Sequence, residues 1–141
     1  VSRGLGDVYK RQTNYEPIAE ADKFIVIYPQ GSFLNGALTS GNHWNVGSWT
    51  AGSTADDVDF INEVIGLIDK KESINQNRIY SSGMSNGGFM SYHLACNLSS
   101  KIAAIVSVTG SMSKETLENC NPSHPTPMLQ IHGALDATVN F

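Results

Sequence analysis

The stretch Ile79-Tyr80-Ser81-Ser82-Gly83-Met84-Ser85-Asn86-Gly87-Gly88-Phe89-Met90 carries G-x-S-x-G over residues 83–87. Residues 78–82 read as a short strand. Residues 86–98 read as a helix, with Phe89, Met90, Leu94 and Ala95 as its apolar positions. A serine between a strand and a helix, with glycine two residues before and two after, is what a nucleophile elbow requires. The turn must be sharp for the hydroxyl to project above the sheet. A Cβ at Gly83 or Gly87 is therefore expected to clash, and Gly88 adds room. The N-terminus of the following helix directs N–H groups and positive dipole at the serine. The N–H of Asn86 is expected to be one oxyanion donor. A glycine-rich strand-to-helix turn with a capping serine would show the same five letters. The strand before and the helix after favour the elbow.

Outward from this turn, apolar strands alternate with helices. Residues 24–28, 102–108 and 128–131 are dense apolar runs that read as buried strands. Residues 15–22 read as a short helix. Thr54-Ala55-Asp56-Asp57 opens a longer one, where the threonine hydroxyl can cap and the two acids suit the positive end of the dipole. Val58, Ile61, Val64, Ile65 and Ile68 then line one face, and Lys70 and Lys71 suit its C-terminal end. Residues 32–52, rich in Gly, Asn and Ser, read as a long loop around Trp44 and Trp49. The order helix, strand, long loop, helix, strand, helix, strand, loop, strand predicts an α/β fold, a mostly parallel sheet with helices on both faces.

The 141 residues are about one domain's worth of chain. Nine Lys+Arg against 13 Asp+Glu give a net charge of −4, which excludes a broad basic surface for nucleic acid. With 40% hydrophobic and 16% charged residues, the chain is not of the disordered class. Its longest apolar runs fall far short of the roughly 20 residues of a membrane-spanning helix, so no membrane partner is expected. The segment Asp7-Val8-Tyr9-Lys10-Arg11-Gln12 resembles one translated frame of a transposon end used in sequencing libraries. Residues 1–12 are expected to be a non-native scar, and residues 13–141 a partial domain truncated at both ends.

A serine hydroxyl is a weak nucleophile until a base takes its proton. In α/β-hydrolases the triad follows the order serine, acid, histidine. Asp136, just beyond the strand at 128–131, is the candidate acid, placed on the same edge of the sheet as the elbow. The four histidines, His43, His93, His124 and His132, all precede it. The base is therefore expected downstream of these residues. His132 at a strand end and His93 on the elbow helix read as structural. The two cysteines are enough for one bridge. If paired, Cys96 and Cys120 close a loop worth about 3 kcal/mol of chain entropy; otherwise they are two free thiols. No Cys/His spacing suggests a metal site. Two roles fit Trp44 and Trp49: lining an acyl or aryl substrate cleft, or anchoring the long loop on the core.

Asn75-Gln76-Asn77-Arg78-Ile79-Tyr80, Gly83-Met84-Ser85-Asn86-Gly87-Gly88, Cys120-Asn121-Pro122 and Ile131-His132-Gly133 with Asp136 resemble the polyhydroxybutyrate-depolymerase-like esterases. These are secreted α/β-hydrolases related to feruloyl and acetylxylan esterases. Trp44-Asn45-Val46-Gly47 and Asp56-Asp57-Val58 fit the same pattern. The resemblance implies the central part of an α/β-hydrolase fold, with Ser85 as nucleophile and Asp136 as triad acid. It implies an ester substrate, a polyester or a plant-wall ester, with no metal or organic cofactor. It implies secretion, and with it a Cys96–Cys120 bridge. The family's upstream His-Gly oxyanion loop and downstream catalytic histidine are not in these residues, and Val139-Asn140-Phe141 stands where the family usually has Val-Pro-Tyr. Little or no turnover is thus expected of the 141 residues alone. A catalytically silent scaffold that binds a polymer or partner is the rival from a different class.

Overall fold

A computed structural model describes residues 13–34 and 41–140. In chain order its elements are α1 (Tyr15–Asp22), β1 (Ser32–Leu34), β2 (Gly41–His43), a 3-10 turn (Ser48–Thr50), α2 (Asp57–Lys71), β3 (Ile79–Met84), α3 (Asn86–Asn97), β4 (Ile102–Val108), α4 (Lys114–Asn119) and β5 (Met128–Ile131). The strands β3, β4 and β5 form a parallel sheet in that order. The register sets Gly83 beside Ser107 and Ser107 beside Gln130, so the three strands end level with one another. This is the expected α/β arrangement, with α3 as the crossover from β3 to β4 and α4 between β4 and β5. The scar expected at residues 1–12 lies outside the described residues.

The core forms where α3 lies on the sheet. Phe89, Met90, Tyr92, Leu94 and Ala95 of α3 pack with Ile102 and Ile105 of β4 and with Val46 from the preceding loop. Fully burying a side chain of this size stabilises by about 1.5–3 kcal/mol. The approach is close at the start of the helix. A Cβ on Gly88 would lie 2.5 Å from Ser107 Oγ and 2.9 Å from Gly110 Cα, and one on Gly110 would lie 2.6 Å from Gly88 Cα. Two facing glycines let the helix backbone rest almost directly on the end of β4.

Several expectations are corrected. Residues 24–28 form no strand. Phe24, Ile25 and Ile27 are 44%, 50% and 43% exposed, and among the described residues no strand pairs with them. An apolar run expresses a tendency to be buried, but a strand also needs a neighbouring backbone. The long loop is not structureless: β1 and β2 pair antiparallel, with Phe33 opposite Asn42, and the 3-10 turn follows. The cap of α2 is Asp56, not Thr54; its Oδ1 accepts from Asp59 N at 2.9 Å. The loop read between the last two strands contains α4, capped by Ser113, whose Oγ accepts from Thr116 N at 3.1 Å. No helix of the described residues is long and apolar enough to cross a membrane.

His93 joins α3 to α4 through Nδ1 and Thr116 Oγ1, 2.8 Å apart. Burial pulls its pKa below the ordinary imidazole value, against the opposing pull of the Asp57 and Asp56 charges. The folded protein thus binds this proton less readily than the unfolded chain. The stability linked to neutral His93 is complete above about pH 6.5 and is lost as pH falls through the lower folded value. Thermal melts of the parent should show a falling Tm on the acid side, and His93→Asn should flatten that slope; an unchanged slope would refute the linkage. Gly88→Ala should destabilise by about 1–3 kcal/mol through overpacking. The measurement is a lower urea midpoint at unchanged slope, and a variant as stable as the parent would refute the close approach.

Candidate active site

Ser85 sits between β3 and α3 with φ 52° and ψ −121°. A non-glycine residue there carries strain on the order of 1–3 kcal/mol and persists only when its surroundings over-determine it. Here the surroundings do so. Ser85 N donates to Val108 O at 2.8 Å, extending the β3–β4 ladder past the end of the strand. Ser85 O accepts from Gly88 N at 2.8 Å and Phe89 N at 3.1 Å, starting the helix. A Cβ on Gly83 would lie 2.2 Å from the carbonyl carbon and oxygen of Gly87, so a side chain there is excluded. The clash expected at Gly87 does not exist, since a Cβ on it meets open space. The constraint between the two glycines falls on Gly83 alone. Ser85 is half-buried rather than packed inside. Helix geometry leaves the Asn86 N–H without an intrahelical acceptor.

The Asn86 side chain has a role that the sequence reading missed. Its Oδ1 accepts from Trp44 N at 2.6 Å and its Nδ2 donates to Trp44 O at 3.1 Å, so one amide holds both backbone groups of one loop residue. The next two residues are also held. Asn45 N donates to Asp57 Oδ2 at 2.6 Å, Val46 N donates to Thr50 Oγ1 at 2.9 Å, and Ser113 Oγ donates to Val46 O at 2.6 Å. Asp57, read as a helix-starting acid, is turned inward and buried to make its contact. The loop is thereby fixed against the elbow. The Trp44 ring stacks on Phe60 and joins the edge of the core. Trp49 meets Phe89 edge-on at 4.6 Å and keeps 42% of its surface exposed.

Asp136 lies in the loop after β5. Its Oδ1 accepts from Thr138 N at 2.9 Å and Val139 N at 3.0 Å, an Asx-type turn. Those N–H groups, Val139 first and Thr138 next, hold its pKa below the usual carboxylate value, and His132 acts in the same direction. Thr109 N donates to Ile131 O at 2.8 Å, carrying the β4–β5 ladder past its end as Ser85 does for β3 and β4. The elbow and the acid loop therefore leave the same carboxyl edge of the sheet. Among the described residues no histidine hydrogen-bonds Ser85. His93 engages α4, and His124 is exposed and hydrogen-bonded to Pro125 O. The ring nitrogens of His43 are buried without a hydrogen-bond partner among the described residues. His132 is enclosed beside Asp136, its Nε2 3.7 Å from Asp136 Oδ2. No group of three or more His, Cys, Asp or Glu among the described residues is arranged to hold a metal ion.

Cys96, near the end of α3, and Cys120, directly after α4, form a disulfide that spans 24 residues of sequence. It closes the α3–β4–α4 segment into a covalent loop. Across the same gap Ser123 N donates to Ser99 Oγ at 2.8 Å.

Asn86→Ala should leave both polar backbone groups of Trp44 unpaired and cost about 1–3 kcal/mol. Urea unfolding and amide exchange at residues 44–46 should report the loss of stability and of protection together. Parent-like protection would show that the amide does not hold the loop.

The sequence pattern of the phospholipase/carboxylesterase family matches residues 4–141. The chain is 26% identical over 129 residues to a bifunctional acetylxylan esterase/xylanase of Neocallimastix patriciarum, covering 92% of this chain and 17% of that protein. It is 35% identical over 113 residues to feruloyl esterase B of Piromyces equi, covering 78% and 21% respectively. To feruloyl esterase D of Neurospora crassa it is 29% identical over 91 residues, covering 64% and 30%. The chain thus spans less than a third of the length of each of these relatives. On an elbow serine at the strand–helix junction of a parallel sheet and a family match over nearly its whole length, the chain belongs to the phospholipase/carboxylesterase family of α/β-hydrolases.

Proposed function

We propose that the protein carrying this chain is a serine carboxylic ester hydrolase. The observation that carries the reading is the Ser85 backbone at φ 52° and ψ −121°, on the same sheet edge as the Asp136 loop. Ser85 Oγ attacks the ester carbonyl carbon, and the N–H of Asn86 helps hold the tetrahedral oxyanion. The alcohol leaves, water then attacks the acyl-enzyme, and the acid is released. The base is a histidine oriented by the Asp136 carboxylate, which its backbone donors keep ionised. The exposed face of Trp49, whose ring meets Phe89 in the first turn of α3, suits an acyl or aryl group of the substrate.

Two substrate classes fit. One is a polyester or hydroxyacyl oligomer, as the polyhydroxybutyrate-depolymerase-like motifs imply. The other is a plant-wall ester, supported equally by relatives named for feruloyl and acetylxylan esters. The Cys96–Cys120 disulfide supports function outside the reducing cytoplasm, as in a secreted enzyme.

The protein at its natural full length should label with a fluorophosphonate probe, and Ser85→Ala should abolish labelling. On p-nitrophenyl butyrate, Ser85→Ala should lose about 10⁶-fold and Asp136→Ala roughly 10⁴-fold in kcat. An unlabelled parent would replace the hydrolase with the silent scaffold, and a Ser85→Ala variant that still labels would overturn Ser85 as the nucleophile. Methyl ferulate, acetylated xylan and polyhydroxybutyrate as parallel substrates separate the two classes.

A further inference from the structure

We infer that His132 is a positioning residue whose imidazole, neutral and protonated on Nε2, fixes the loop that presents the Asp136 carboxylate. The inference rests on the reading of Asp136 as triad acid. Gln130 and His132 are two residues apart at the end of β5, so their side chains lie on one side of the chain. The Gln130 amide orientation is set by its neighbours. Its Nε2 is 2.7 Å from Gly110 O, which can only accept, and its Oε1 accepts from the Tyr92 hydroxyl at 3.0 Å. The second hydrogen of Nε2 faces His132 Nδ1 at 2.8 Å. Nδ1 is therefore the acceptor, and the ring proton is on Nε2. Nε2 in turn is 2.7 Å from Val139 O, which accepts it.

Val139 is the joint of the device. Its carbonyl is held by His132, and its N–H donates to Asp136 Oδ1 at 3.0 Å. A continuous line of hydrogen bonds thus runs from Tyr92 on α3, the helix that begins next to Ser85, through Gln130, His132 and Val139 to the Asp136 carboxylate. It ties the acid loop to the elbow helix across the sheet edge. The line works in one protonation state. A proton on Nδ1 would set two donors face to face. Gln130 could not turn its oxygen to meet it without setting that oxygen against Gly110 O. Among the described residues, the titratable groups facing the ring are Asp136, with Oδ2 3.7 Å from Nε2, and Tyr92, which acts through Gln130.

Two measurements on the full-length protein test this. Ring ¹⁵N spectra at neutral pH should show His132 as the Nε2–H tautomer; an Nδ1–H tautomer or an imidazolium would overturn the inference. In steady-state kinetics His132→Leu should lower kcat by about ten- to a hundredfold with little change in KM. His132→Gln, which keeps an N–H toward Val139 O, should recover most of the loss. If Asp136→Ala impairs turnover while His132→Leu does not, the positioning role is wrong and the esterase reading stands. If Asp136→Ala has no effect, the acid assignment falls and His132 falls with it. Should His132→Leu fail to fold, the ring spectrum of the unsubstituted protein decides.

Discussion

The site depends on one backbone conformation, the left-handed φ of Ser85. An isolated chain would relax it. It persists because the residue is claimed from both sides, its N–H by the end of β4 and its carbonyl by the first turn of α3. Both claims require α3 to begin immediately and to lie close against the sheet. Closeness comes from missing atoms, at Gly83 against Gly87 and at Gly88 against Gly110. The force comes from the apolar side of α3, which packs Phe89, Met90 and Leu94 against Ile102 and Ile105. Hydrophobic burial is non-directional; the glycines and the ladder bonds convert it into one half-buried serine held at one place.

Around this point the polar contacts are short and address backbone rather than other side chains. Asn86, Asp57, Thr50 and Ser113 each bind a backbone group between Trp44 and Val46. Asp136 takes two backbone N–H groups of its own loop, and His132 takes a carbonyl of the same loop. Loops carry unpaired backbone groups that must find partners when they leave water. For residues 44–46 those groups are satisfied by residues on α2, on α3, in the 3-10 turn and next to α4, so satisfying them also fixes that loop relative to the elbow. The disulfide adds a covalent limit on how far the α4 segment can move from α3. The loop and the acid are thus positioned by the elements that position Ser85.

The elements legible in the sequence are those whose evidence is local. The helix at 15–22, the strands at 102–108 and 128–131, the elbow and its parallel setting need only apolar periodicity, glycine placement and the order of strands and helices. The positions of Ser85 and Asp136 on one edge follow from that order, because parallel strands end on the same side. What the letters could not show depends on contact between distant residues. The run at 24–28 has the composition of a strand and no partner to make it one. The ribbon at residues 32–34 and 41–43 exists only through its pairing, and α4 is a six-residue helix whose capping serine also reaches Val46. Asn86 read as a bare N–H donor and Asp57 as a dipole acid, because an amide's or carboxylate's partner 12 to 42 residues away leaves no periodic trace. His132 was legible as structural, but its tautomer was not. That is decided by which amide atom of Gln130 faces it, and this is a matter of three-dimensional neighbours alone.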